Sequence, residues 1–220
     1  MRKTAPPMLT IKKFPFNPLQ ENTYVVYNEQ SDCLIVDPGC YFENERNELK
    51  QFIEKNGLRA KYLLNTHGHF DHVFGDQFVF TTWGLKPHLH ETEKPVFDMA
   101  LMAAQRWDMS FEPYSGDIIF LREYDTIRLG TDQLTVLFTP GHSPGHISFY
   151  CKEQNFVLSG DVLFRDSIGR TDLPGGDFNQ LSESIRTRLY VLPDETIVYS
   201  GHGPETRIGY EKQHNPFVLG

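Results

Sequence analysis

The sequence predicts an α/β (α+β) fold in which two β-sheets lie face to face between outer layers of helices. Three observations lead there. Short apolar runs and helical stretches follow one another as strands, helix, strands, helix, an order that suits a layered sandwich. Loops carrying Gly with His or Asp follow several of the apolar runs. The 220 residues are 39% hydrophobic and 23% charged, enough for a core, and no repeat, low-complexity block or Pro/Ser-rich linker divides them. One domain over residues 1–220 is expected.

The elements follow in order. Thr23 to Tyr27 and Cys33 to Val36 carry strand signals, and the polar segment between them predicts a hairpin. A helix is predicted from Glu43 to Asn56, where Leu49, Phe52 and Ile53 form an apolar stripe and Gly57 offers a stop. The run Tyr62 to Leu64 predicts a buried strand delivering the loop Thr66 to His72. A second helix is expected over Glu91 to Asp108, with Pro95 tolerated only in its first turn. Strands are expected at Thr126 to Leu129, Leu134 to Phe138, His146 to Tyr150 and Phe156 to Leu158. Asp177 and Gln180 resemble a capping pair before a helix over Phe178 to Tyr190, and Thr196 to Tyr199 reads as one more strand.

Composition narrows the function classes. Twenty-one Lys and Arg against 29 Asp and Glu give a formal charge of −8, which argues against nonspecific binding to nucleic acid or anionic membrane. No stretch approaches the roughly 20 apolar residues of a membrane span, and Met1 to Phe14 contains no apolar leader core. A soluble, cytoplasmic protein is expected. Cys33, Cys40 and Cys151 are odd in number and lack CxxC spacing, so buried thiols are expected rather than a disulfide framework or a cysteine zinc site.

The histidines carry more information. Thr66-His67-Gly68-His69-Phe70-Asp71-His72 holds three imidazoles and a carboxylate, donors that zinc, iron or manganese accept. On an extended segment residues i and i+2 face the same way, so His67 and His69 can chelate one ion, with Asp71 and His72 a short turn further on. His142, Asp161 and His202 each follow a predicted strand beside glycine, which lets backbone approach a crowded site. All of these residues can converge at one edge of the sandwich. His88, His90 and His214 read as ordinary surface or core residues, and His146 as a structural residue ahead of a ligand-supporting one.

This constellation resembles the metallo-β-lactamase superfamily, from Asn22 to about His202, with all five motif positions in order. The resemblance implies an αββα four-layer sandwich of the metallo-β-lactamase fold with a metal centre at one end. It further implies that His67, His69 and His142 hold a first divalent ion, that Asp71, His72 and His202 hold a second, and that Asp161 bridges both. Zinc is the expected metal, with iron and manganese as alternatives. Coordination lowers the pKa of water to about 7, so a hydroxide held between the ions becomes a nucleophile that Asp71 can orient.

Within the superfamily the chain looks like the glyoxalase II group, the hydroxyacylglutathione hydrolases, in its short bacterial form. The string that carries this runs from Gly160-Asp161-Val162-Leu163-Phe164 to Ser167-Ile168-Gly169-Arg170-Thr171-Asp172-Leu173-Pro174-Gly175-Gly176. Arg170 stands where the long enzymes place a lysine that binds a glutathione carboxylate, Asp172 stands where they place a tyrosine, and the chain ends about where they add a helical domain. Arg170 is therefore the candidate substrate-binding residue, or alternatively an ion-pair partner of Asp166 or Asp172. The expected partner is a small thioester, with a glutathione conjugate foremost, because a thiolate of pKa about 8.5 leaves without a general acid. The same string resembles the persulfide dioxygenases, which use one non-haem iron. A mononuclear iron oxygenase, a lactonase or other small ester hydrolase, and a noncatalytic metal-binding module remain the alternatives.

Overall fold

The computed structural model describes residues 9–220; the first eight, part of the stretch read above for a leader, lie outside the described residues. The first sheet holds β1 (Thr10–Phe16), β2 (Glu21–Tyr27), β3 (Asp32–Val36), β4 (Arg59–Leu64), β5 (Pro87–His90) and β6 (Ile119–Leu121), side by side in that order. Its first three strands pair antiparallel and the rest parallel. α1 (Glu43–Lys55) links β3 to β4, α2 (Phe70–Val73) and α3 (Asp76–Trp83) lie between β4 and β5, and α4 (Lys94–Asp98) and α5 (Ala100–Gln105) precede β6.

The second sheet contains β7 (Thr126–Leu129), β8 (Asp132–Phe138), β9 (Ile147–Cys151), β10 (Phe156–Gly160), β13 (Ile197–Ser200) and β14 (Thr206–Arg207). A small hairpin of β11 (Leu163–Phe164) and β12 (Ser167–Ile168) follows β10. α6 (Phe178–Ser184) and α7 (Ile208–His214) complete the chain. β10 and β13 are parallel, and β8, β9 and β10 alternate, so β8, β10 and β13 all run the same way.

Period-2 alternation explains why neighbouring apolar residues enter different cores. Leu34 and Val36 of β3 face the second sheet, where they meet Ile147 and Phe149 of β9, while Cys33 and Ile35 pack under Leu49 and Ile53 of α1. On the other side Val157 and Val198 lie against Leu181, Ile185 and Ile208. Both sheets are thus buried on two faces, giving four layers, helix, sheet, sheet, helix. Phe149, fully buried at the centre, contributes about 1.5–3 kcal/mol through removal of its ring from water. The three cysteines are buried free thiols, and among the described residues no helix is long and apolar enough to cross a membrane.

Two helices differ from the sequence expectation. The segment 91–108 is a 3-10 turn followed by two short helices broken at Met99, and residues 106–108 are a turn. Pro95 sits in the first turn of α4, and the Met99 amide bonds to both Pro95 and Val96 carbonyls, tightening the chain instead of continuing it. The helix over 178–190 starts as expected, with the Asp177 carboxylate accepting the Gln180 amide at 2.9 Å, but passes into a π-helical turn at Ile185–Leu189. β1 was not legible because its two lysines and Pro15 mask a strand that carries Phe14 and Phe16 inward from the sheet edge.

Candidate metal centre

The predicted site residues gather at the carboxyl ends of β4, β8, β10 and β13, where the chain leaves each strand: Leu64 for the loop with His67 and His69, Phe138 for His142, Gly160 for Asp161, and Ser200 for His202. Parallel alignment within each sheet places these ends together. The two sheets are stitched there by backbone, with the Ile147 amide donating to Thr66 O at 2.9 Å and Asn22 N to Gly201 O at 2.7 Å, while Gly201 N donates to Gly160 O at 2.8 Å within the second sheet. Gly201 must be glycine for close approach, since a Cβ would collide with the Asp161 carboxylate and stand 2.7 Å from His72 Cε1.

Three donor triads come together among the described residues; one joins Asp37 to His67 and His72, and the other two consist of predicted ligands alone. Single donor atoms of His67, His69 and His142 lie within 4.8 Å of one another, and so do those of Asp71, His72 and His202. Asp161 stands between them. Its Oδ2 is 3.7 Å from His142 Nε2 and 3.6 Å from His202 Nε2, and its Oδ1 is 3.5 Å from His72 Nε2. Asp71 Oδ2 lies 3.2 Å from His202 Nε2.

Hydrogen bonds fix which nitrogen each imidazole presents. His142 Nδ1–H donates to the Arg170 carbonyl at 2.7 Å, and His202 Nδ1–H to the Leu19 carbonyl at 3.2 Å. His72 Nδ1–H donates to Asp37 Oδ2 at 3.1 Å. Thr66 Oγ1 gives its proton to Asp37 Oδ2 at 2.6 Å and so accepts from His67 Nδ1 at 3.0 Å. Nε2 of all four rings consequently faces the centre, whereas His69 turns Nδ1 inward, 2.9 Å from His142 Nε2. Such anchoring of the far nitrogen sets both tautomer and ring angle.

Burial and the neighbouring imidazoles push His67 well below the usual histidine range; His69 falls to about 3, and burial lowers His142 against the pull of Asp161. These three rings offer neutral lone pairs. Burial also disfavours charge on His72 and His202, but Asp161 and Asp71 overcome it and raise both. Burial opposes ionisation of Asp71 and Asp161, and the positive imidazoles outweigh it, keeping both carboxyls below the ordinary range. The second triad therefore calls for positive charge at its centre. His67 Nε2, His72 Nε2 and Asp161 Oδ1 are buried without any hydrogen-bond partner, and all three point into the same space. A group of imidazole and carboxylate donors with orphaned lone pairs fits divalent metal ions.

Several residues around the centre escaped the sequence reading. Asp37, at the end of β3, accepts from the Thr66 amide at 2.7 Å as well as from Thr66 and His72, so it supports ligands rather than joining them. Its only signal was an acid closing an apolar run. Glu21 is wholly buried, accepts from the Thr23 hydroxyl at 2.9 Å, and lies 3.8 Å from His72 Nδ1. Asn17 Nδ2 donates to the Asp71 carbonyl at 2.9 Å. His146, by contrast, was read in advance as structural ahead of ligand-supporting, and it does touch the centre through Asp161: its Nε2 accepts the Asp161 amide at 3.1 Å, and its Nδ1 reaches Thr139 Oγ1 at 3.1 Å. His88, His90 and His214 bond only local groups near their own elements.

Arg170 is brought to the centre by its backbone alone. Its exposed guanidinium forms a fork on Asp172, with Nε at 2.7 Å and Nη2 at 2.8 Å from the two oxygens, while Asp166 accepts from the Tyr210 hydroxyl instead.

The resemblance to known proteins extends over this whole architecture. The family model of the Metallo-beta-lactamase superfamily matches residues 16–202. The chain is 40% identical over 210 residues to the probable metallo-hydrolase YqgX of Bacillus subtilis, covering 95% of this chain and 97% of that one. It is 37% identical over 216 residues to the hydroxyacylglutathione hydrolase GloC of Haemophilus influenzae, covering 96% and 98%. Among solved structures, BLEG-1 B3 metallo-beta-lactamase superposes with a TM-score of 0.86 at 39% identity, covering 96% of this chain and all of that one. TTHA1623 in a di-iron-bound form gives 0.84 at 39%, covering 94% and 100%, and ETHE1 from Myxococcus xanthus gives 0.76 at 26%, covering 94% and 83%. With the four layers, the strand-end loops and a family match that begins at Phe16 and ends on His202 itself, the chain belongs to the metallo-beta-lactamase superfamily.

Proposed function

We propose that the protein is a metal-dependent thioester hydrolase that converts S-(2-hydroxyacyl)glutathione to a 2-hydroxy acid and glutathione in the cytoplasm. The observation that carries the reading is the pair of complete triads sharing Asp161, an arrangement suited to two cations side by side. The substrate class rests on likeness to GloC over nearly the full length of both chains. Zinc is the expected ion, with iron and manganese served by the same donors; TTHA1623, by its name, is known in a di-iron form.

Divalent ions in the triads supply Lewis acidity, which acidifies water and polarises a carbonyl. The chain's own residues do the rest. Asp71, fixed through its carbonyl by Asn17, holds a carboxylate edge toward the centre and orients the attacking water by accepting its proton in a hydrogen bond. Asp161 keeps the two triads at a set separation. The departing thiolate needs no proton donor, unlike an amide nitrogen, which favours thioesters over lactams. The expected assay result is about two ions per chain and thioester loss without oxygen uptake. Oxygen-dependent consumption of glutathione persulfide by a protein with one iron would overturn the reading in favour of a dioxygenase, the alternative raised by the Gly169-Arg170-Thr171-Asp172 string.

Arg170 is the proposed contact for a glutathione carboxylate. To take it, the guanidinium exchanges Asp172 for substrate, an inexpensive swap for an exposed pair. Arg170→Ala should raise KM for glutathione thioesters roughly ten-fold or more and leave an uncharged thioester almost unaffected. Metal content should stay constant, because His142 is held by the residue-170 carbonyl, which alanine retains. Equal losses on both substrates would make the fork on Asp172 purely structural.

A further inference from the structure

Glu93 is a fully buried carboxylate outside both triads, and nothing in the proposed chemistry uses it. It closes the 3-10 turn Glu91–Glu93 that follows β5. Its Oε1 accepts the Gly68 amide at 2.9 Å and its Oε2 accepts the Gly145 amide at 2.6 Å. Gly68 lies between His67 and His69, whereas Gly145 ends the loop that carries His142. Those loops leave β4 of one sheet and β8 of the other. One carboxylate therefore spans the two loops that together supply the first triad.

The contact is close on both sides. A Cβ on Gly68 would stand 2.6 Å from the Phe97 amide nitrogen, and one on Gly145 would collide with the backbone of Glu93 itself. Thr92 of the same turn adds a hydroxyl bond to the Pro144 carbonyl at 3.3 Å. The turn is thus seated against both loops, and its acid ties them through backbone amides that no ligand side chain engages.

We propose that Glu93 is a positioning residue that sets the separation of the His67–His69 loop from the His142 loop, and so the affinity of the first triad for its ion. The inference rests on the metal-site reading and is independent of which substrate the enzyme takes. A carboxylate can accept two amide protons at once; a carboxamide of the same shape accepts one and turns its own N–H groups toward the other. Ligand geometry tolerates errors of only about 0.5 Å, so the mismatch should be felt in binding.

The test compares full-length wild type and Glu93→Gln, each metal-free and loaded with zinc, by thermal melting and by the rate of zinc loss to a chelator. Glu93→Gln should lose most of the melting-temperature gain that zinc gives wild type and should release its first-triad zinc ten-fold or more faster, on the scale of outer hydrogen-bond partners of metal ligands. A purely structural role would lower the metal-free and loaded forms equally, leave the zinc-induced gain and release rate intact, and overturn the inference alone. Absence of any zinc-induced gain in wild type would overturn the metal-site reading and the inference with it. If Glu93→Gln does not fold, Glu93→Asp is read in the same way: it keeps both acceptors on a stem one methylene shorter, and a wild-type zinc gain and release rate in it would equally overturn the proposal.

Discussion

Asp161→Ala is expected to reduce bound metal by at least one ion per chain and to lower thioester turnover by about 100-fold or more. Its two oxygens face His142 of the first triad and His72 and His202 of the second, so one substitution removes the carboxylate placed between them. Without it, the imidazoles confront one another with less negative charge between them, and a second cation becomes costly to bind. Asp161→Asn provides the control for shape. Both variants retain the backbone amide that bonds to His146, so the loop should keep its course. Metal analysis beside steady-state rates checks this; wild-type stoichiometry with near-normal turnover in either variant would defeat the shared-ligand role.

His202→Ala should lower metal content from about two ions toward one, with a comparable fall in hydrolysis. The residue suits the experiment because its side chain is 28% exposed at the rim, and the backbone bond from Asn22 N to Gly201 O that joins the sheets does not depend on it. The fold should survive. Removal strips Asp71 Oδ2 of the imidazole 3.2 Å away and leaves the second triad with two donors, fewer than a closed divalent site requires. The first triad keeps its three lone pairs. A protein that contains one iron before and after the change, with undiminished oxygen uptake, would point to the dioxygenase alternative.

Residues 66–72 explain how so much of this site could be read in advance. Ligand spacing within one loop is a local property: an extended segment sets His67 against His69, and the turn of α2 brings Asp71 and His72 round. Strand runs such as Cys33 to Val36 were equally legible, because burial on both faces leaves an unbroken apolar signature. By contrast, β6 and β14 have three and two residues, too few for any periodicity, and α7 lay unseen beyond the last motif. The break at Met99 was invisible because it lies in how one amide is shared between the Pro95 and Val96 carbonyls, a tightening that no residue type announces.

Layered architecture, the donor types available for metal and the strands that deliver them can all be read from the residues in order, since these follow from periodicity and from the chemistry of single side chains. Which nitrogen each imidazole presents emerges from the folded chain, because that depends on acceptors distant in sequence: Asp37 for His72, the Leu19 carbonyl for His202 and the Arg170 carbonyl for His142. The folded structure also separated the two contributions of Arg170, a carbonyl at the centre and a guanidinium on Asp172, and revealed Glu93 between loops that sequence sets 25 and 52 positions away. Hydrogen bonds across such distances leave no periodic trace. They form when packing of two sheets brings strand ends together, and the packing is a property of the whole chain.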